Sequence, residues 1–533
     1  MLKTTPRRIA CAVLTALAAP AAHAVTFDTG DSDLKVSWDT TVNYSSLYRV
    51  RDPSSTQLAE YVFSPAGDGD RNFDKGFASN RFDLTSALDV SQGNFGGRIS
   101  GTGWYDSVYR RSNDNTTGIT HNIDTPADQF SRGTRKAVGR DARLMDAFGY
   151  AKGHLGGMPA RITLGRFAVV YGETLMSGAN GIANAQGPID VVKGVTVPGA
   201  QVKDFILPTA QVAGTLQVND SVSLGGYYQF DWEKSPFLPA GSFLSPNDFM
   251  GDGAQAFLST PGGGLFARAA DEKPQDSGQY GFNLHYTPSS LDVDFGLYAA
   301  RYHDKIPSAA YLDPVRGNYR LVFHEGIRTF GASASTVIGR DNVSLETSVR
   351  TNVPLTGGLA IVQTIPGGWD SFNNSNNPAY AVGHTAHATL VDIHLFQPNW
   401  LLKDGGSLAT QYDWHRVTSI TKNLNAIDPT TTKSASQITV AFSADYFQVL
   451  DGLDVSVPIV YNHQWGRSRA FVGWVQNGGS LDTGLNFTYH TVWKAGINYH
   501  HFIGKHGTSI GGGSFDQTLW DRDYISMNFS RTF

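Results

Sequence analysis

Cysteine is nearly missing from this chain. Cys11 is the only one among 533 residues, so no intramolecular disulfide can form, and it lies in a segment that reads as removable. Beyond residue 24 there is no apolar run of the roughly 18 residues that a membrane-crossing helix needs, which excludes a helical membrane protein. The signatures G-x-S-x-G, H-E-x-x-H and the P-loop are absent, and with them the commonest marks of hydrolase, zinc-peptidase and nucleotide chemistry. No enzyme activity and no cofactor are therefore expected. The formal net charge is only −5, which gives no footprint of a nucleic-acid partner.

What is present is alternation. From Ile525 the alternate positions are Ile525, Met527, Phe529, Arg531 and Phe533, against Ser526, Asn528, Ser530 and Thr532. Period two means an extended strand, since successive side chains point to opposite faces. One face suits lipid and the other a polar lumen, as in the last strand of an outer-membrane barrel. The terminal Phe533 resembles the signal read by the barrel-insertion machinery of Gram-negative bacteria. Arg531 departs from that pattern, which normally has an apolar residue there.

Residues 1–24 read as a secretory signal. Lys3, Arg7 and Arg8 form a basic start, Ile9 to Ala19 is apolar but short, and Ala22-His23-Ala24 is a small-residue cleavage site. The mature chain is expected to begin at Val25, after Ala24. A chain this long would ordinarily divide into two or more domains. A single large barrel is the exception, and its alternation averages out to an innocuous mean hydropathy of −0.24.

Strand-like stretches follow in pairs. Leu34–Tyr48 reads as the first; Arg81–Val90, Gly97–Tyr109, Asp146–Leu155 and Ala160–Val170 follow. The pattern goes on through Ile438–Val449 and Leu453–His463, joined at Asp451-Gly452. Asn477-Gly478-Gly479 reads as a hairpin turn, and Leu485 to Tyr499 as one very long strand. Asn113–Gly139 reads as an exposed loop, Glu233–Ser277 as a long loop rich in Gly, Pro and Phe, and Pro354–Gly383 as another. Short turns alternating with long loops predict an all-β, single antiparallel transmembrane barrel of roughly 16–18 strands over residues 25–533, in the bacterial outer membrane and bounded by its lipid.

Residues 172–208 interrupt this rhythm. The stretch is too apolar for a solvated loop, with Ile182, Val191, Val192, Val195 and Phe205, and long unstructured loops are usually functional. A loop tucked into the lumen accounts for both properties. Arg161, Arg166, Tyr171, Glu173, Asp190, Lys193, Lys203 and Asp204 are the candidate lining of a constriction. The alternative is an extracellular lid without a gating role.

Several motifs resemble a proteobacterial outer-membrane family known as domain of unknown function 1302. They are Asp68-Gly69-Asp70-Arg71-Asn72-Phe73, the Gly165 to Tyr171-Gly172-Glu173 run, Pro188-Ile189-Asp190, Pro198-Gly199, Tyr228-Gln229-Phe230-Asp231-Trp232 and Leu244-Ser245-Pro246-Asn247-Asp248. Tyr171 stands where that family usually has Trp. The resemblance implies a barrel that handles hydrophobic small molecules or lipids, with an inner-membrane exporter and a periplasmic lipid-carrier-like protein as partners. Asp68, Asp70, Asn72 and Asp74 have the spacing of a calcium loop, but Phe73 stands where glycine is needed and Ser79 where Glu is needed. An Asx-rich turn is the plainer reading. His500 and His501 must face opposite ways on a strand and cannot share a metal. A sealed interaction barrel and an outer-membrane lipid hydrolase stand as alternatives to a channel.

Overall fold

Alternation yields strands whose two faces meet different surroundings, and here the strands close on themselves. The computed structural model describes residues 25–27, 33–60, 67–176, 178–258, 265–357, 360–363, 368–507 and 515–533. The expected signal segment and Ala24 lie outside the described residues, and Val25 opens a short strand, β1 (Val25–Phe27). The wall begins with β2 (Leu34–Arg49), β3 (Gly76–Gln92), β4 (Phe95–Asp106), β5 (Arg140–Leu155), β6 (Met158–Phe167), β7 (Thr209–Asn219) and β8 (Val222–Gln229). Two short strands, β9 (Ala256–Leu258) and β10 (Leu265–Arg268), precede β11 (Gln279–Tyr286) and β12 (Val293–Tyr302). After β13 (Ala309–Asp313) and β14 (Asn318–Val322) the wall resumes with β15 (Ile327–Ile338) and β16 (Asp341–Pro354). Following β17 (Ala360–Gln363) come β18 (Val382–Phe396), β19 (Gly406–Lys422), β20 (Ser434–Leu450) and β21 (Leu453–Trp465). The last are β22 (Gly478–Tyr489), β23 (Trp493–Ile503) and β24 (Tyr524–Thr532).

β2 pairs with β3 on one side and β24 on the other, which closes an antiparallel barrel of 18 strands. Closure leaves no unpaired wall edge. At the seam Phe533 and Thr40 exchange both backbone hydrogen bonds. The guanidinium of Arg531 lies 4.4 Å from the ring centres of both Trp493 and Phe533, so cation–π contact accommodates a charge in an otherwise apolar row.

One rim carries short connections such as Gly156-Gly157, whose positive φ values of 59° and 84° suit glycine. The opposite rim carries the long ones. Outward positions form an apolar belt in which Leu144, Ile162, Phe282, Leu297 and Phe330 are between 51% and 60% exposed. Inward positions are polar and many are buried. No helix among the described residues is long and apolar enough to cross a membrane.

Three sequence expectations are corrected. Leu485–Tyr499 is two strands, β22 and β23, joined through His490 and Thr491 at φ 46° and 62°. Tyr489 pairs with Trp493, so odd residues pair with odd residues and the alternation runs through the turn undisturbed. Asn477-Gly478-Gly479 leads into β22 and makes no hairpin. The loops at 233–277 and 354–383 are not merely solvated: with 303–326 they build a five-stranded sheet in the order β17-β13-β14-β10-β9. This cap at the long-loop end has its own apolar clusters, around Phe249, Phe257 and Tyr319 and around Tyr311 and Tyr380. The stretch 113–139 likewise buries His121, Phe130 and Thr134.

Candidate functional site

The segment between β6 and β7 reaches inward-facing side chains on strands far apart around the wall, so it lies inside the barrel. Its first half is held by backbone groups that need partners. The Glu346 carboxylate accepts the amides of Ile182 (2.6 Å) and Glu173 (2.8 Å). Arg350, four residues on along the same face of β16, donates to the carbonyls of Ala179, Asn180 and Gly181 at 2.6–3.0 Å. Gln411 on β19 accepts from the amides of Leu175 and Met176. The Asn180 side-chain amide donates to the Ala388 carbonyl and to Thr389 Oγ1, and its Oδ1 is 2.9 Å from His387 Nδ1. These anchors cover β16, β18 and β19.

The second half crosses toward the seam. Asp190 caps the short helix Val191–Thr196 by accepting the Lys193 amide (2.9 Å), and it pairs with Arg143 of β5 at 2.7 Å. The tip turns at Gly199, φ 78°. A Cβ placed on Gly199 would stand 2.7 Å from Asn528 Nδ2 of β24, so the tip rests directly on the far wall. Asn528 shares that wall with Asn486 and Asn498, all three within reach of a Cβ on Gly496.

The loop leaves part of the lumen open on the β21–β24 side. A cavity of about 700 Å³ lies there. The loop contributes Val195, Val197 and Pro198, the 233–278 connection adds Leu238, Leu244 and Met250, and Val472, Trp474 and Phe515 come from the rim. The wall contributes a polar strip of Asn462, Asn486, Asn498 and Ser526, with Asp482 and His500 paired at 2.7 Å. The cavity is therefore two-sided, mostly apolar over the loops and mostly polar along the strands, where Val460, Phe502 and Tyr524 are apolar exceptions.

The candidate residues named from sequence divide. Asp190, Lys193 and Asp204 line a second space of about 380 Å³ with Arg81 and Arg143. Glu173 and Tyr171 sit at the loop's entry. The Tyr171 ring lies tilted against Tyr227 (5.6 Å between ring centres), and the Glu173 carboxylate is 3.4 Å from Ser333 Oγ. Arg166 pairs with Glu233 where β6 ends. Arg161 lies over Tyr150, 4.1 Å from the ring centre, well down the wall and away from the loop. Lys203 is exposed. Sequence reasoning missed the anchors Glu346, Arg350 and Gln411. The available signal was charge on the small, polar face of β16, Ser344-x-Glu346-x-Ser348-x-Arg350.

The calcium-like spacing does not converge. Asp68 and Asp70 fall in a buried helical turn. Asp70 pairs with Arg49 (2.6 Å), Asn72 donates to the Gly241 carbonyl, and Asp74 is exposed elsewhere. Asp68 instead joins His121 and Asp248, with His121 Nδ1 3.3 Å and 3.1 Å from their carboxylates. Burial alone would push the His121 imidazole down, but hydrogen bonds and charge from Asp248 and Asp68 outweigh it and raise it to about 10. This buried cluster ties three long loops together. His500 and His501 face apart, pairing with Asp482 and Asp523 respectively.

No curated protein matches the chain. Among solved structures, Acinetobacter baumannii OccAB4 is similar at 10% identity over 93% of this chain and 98% of that one, with a TM-score of 0.43. A BenF-like porin from Pseudomonas fluorescens Pf-5 stands at 9%, 94%, 98% and 0.43. Pseudomonas aeruginosa OccK2 (OpdF), solved in complex with glucuronate, stands at 9%, 93%, 98% and 0.42. Likeness this distant carries no functional argument. A family model described as protein of unknown function (DUF1302) matches residues 5–533, and the chain belongs to that family.

Proposed function

We propose that this member of the DUF1302 family is an outer-membrane channel that passes small molecules with a large apolar surface, hydrophobic compounds or lipids, past the 172–208 loop. The observation that carries this reading is the cavity beside the loop tip. Its walls are mostly apolar on the loops and mostly hydrogen-bonding on the strands, a lining that suits an amphipathic solute better than a sugar. The apolar outer belt, closed edges and short-turn/long-loop asymmetry support a barrel spanning the outer membrane with its long loops outside. A periplasmic lipid-carrier-like protein and an inner-membrane exporter, the partners expected from the family resemblance, would then meet the short-turn rim.

The folded cap at the long-loop end favours one competitor, a sealed barrel that binds partners. Solute uptake into liposomes separates the two. Wild type is expected to take up a fatty acid or steroid in preference to a sugar, with the rate altered in a 172–208 deletion. No uptake of either solute by either protein would sink the channel and leave the sealed barrel.

A further inference from the structure

Several arginines on the long-loop side have carboxylate partners: Arg49 with Asp70 at 2.6 Å, Arg268 with Asp271 at 2.6 Å, Arg320 with Glu272 at 2.5 Å. The connection between β4 and β5 is different. There a groove of about 810 Å³ is lined by Arg110, Arg132, Arg135, Lys136 and Arg140. None of these arginines forms an ion pair or side-chain hydrogen bond among the described residues, and Lys136 only approaches Asp141 at 3.9 Å. The other acid in the groove, Asp124, is already engaged by the side chains of Thr125 and Gln255. Five cations face only two carboxylates, Asp124 and Asp141, across this groove, and the uncompensated positive charges repel one another, so an anion in the groove stabilises the arrangement.

The groove's position narrows the anion. Arg140 is in register with Tyr105, and both stand on the outward face with Leu144, two of the exposed residues of the apolar belt. The groove therefore begins where the lipid-facing surface ends. In the orientation proposed above, on which this inference rests, that level is the headgroup layer of the outer leaflet. Guanidinium forks match phosphate oxygens in pairs, and four of them are enough to hold two phosphates with two forks each.

We propose that this groove binds the headgroup of a bisphosphorylated glycolipid of the lipid A type from the outer leaflet. Each phosphate is shared by two guanidinium groups, while the acyl chains continue down the belt beside Tyr105 and Leu144. Bound lipid would hold the β4–β5 connection, and through His121 the buried loop cluster, in place.

The test is native mass spectrometry of the full mature protein in detergent, incubated with bisphosphorylated lipid A, with monophosphoryl lipid A, or with lipid A plus inorganic pyrophosphate. Wild type is expected to retain the bisphosphorylated form about tenfold better than the monophosphoryl form, and the triple variant R132Q/R135Q/R140Q to lose retention by about tenfold or more. Equal retention by the triple variant overturns the proposal. Displacement of the lipid by pyrophosphate at equal concentration overturns the lipid assignment in favour of a free polyphosphate site. Should the triple variant fail to show the heat-dependent gel shift of a folded barrel, R140Q alone is expected to weaken retention about threefold, and no change there is equally fatal. Failure of wild type to insert into phosphatidylcholine liposomes would sink the outer-membrane reading; insertion without lipid A retention sinks only the groove.

Discussion

Replacing Glu346 with Ala should release the lumen loop. Its carboxylate is the acceptor for two loop amides, the buried one of Ile182 at 2.6 Å and the half-buried one of Glu173 at 2.8 Å, and Ala supplies no substitute. Hydrogen bonds to a charged group contribute about 1.5–3 kcal/mol each, so losing two weakens the seated loop by about 3–6 kcal/mol. At about 1.4 kcal/mol per tenfold, the unseated population should rise roughly a hundredfold or more, up to the point where other anchors dominate. Arg350, Gln411 and His387 still hold residues 175, 176 and 179–181, so the barrel itself should fold normally. The assay pairs liposome uptake of a fatty acid with limited proteolysis between residues 172 and 208. Faster uptake and faster cleavage in E346A, with E346Q in between, are expected. Wild-type behaviour in both assays would refute the claim that Glu346 seats the loop.

Other consequences follow from the same contacts. Gly199→Ala puts a methyl group against Asn528 at a positive φ that costs an L-residue about 1–2 kcal/mol; uptake should increase, and shortening the neighbour with Asn528→Ser should partly reverse the change. Because His121 is raised to about 10 from its usual 6.5, its stabilisation is complete below 6.5 and fades as pH climbs toward 10. Asp68, which is lowered from 3.8, contributes above that value and fails on acidification. Proteolysis of the 233–252 connection should accordingly quicken from about pH 6 to about pH 10 in wild type and be flat in His121→Gln; matching profiles would refute the latch. Deleting Phe533 should lower the level of protein in the outer membrane of cells much more than it lowers refolding of purified protein into liposomes. Equal losses in the two would mean that its role is confined to the seam contacts with Thr40 and Arg531.

The strands were legible because lipid and lumen impose opposite demands on alternate residues, and that demand is written locally. Ile525 to Phe533 shows it without any partner strand in view. The same property hid the turn at His490-Thr491, since a hairpin that pairs odd residues with odd residues leaves the alternation intact. The inserted loop was also visible, as apolar residues where no strand pattern ran. What held it was not visible. Glu346 and Arg350 look like ordinary lumen charges until residues more than 160 positions away donate to one and accept from the other.

The sequence by itself determined the class of the protein: a large, disulfide-free, alternating chain whose faces suit lipid on one side and polar groups on the other. Tertiary structure alone decided that 18 strands close at Phe533 and Thr40, that long loops fold into a cap, and that a cavity remains between the loop tip and β21–β24. It also decided that Asp68 turns to His121 and Asp248 while Asp70 turns to Arg49. The reason is one of range. Side-chain alternation is enforced residue by residue by the pleat and the solvent on each face, whereas closure, plugging and charge pairing depend on groups hundreds of residues apart meeting across a barrel.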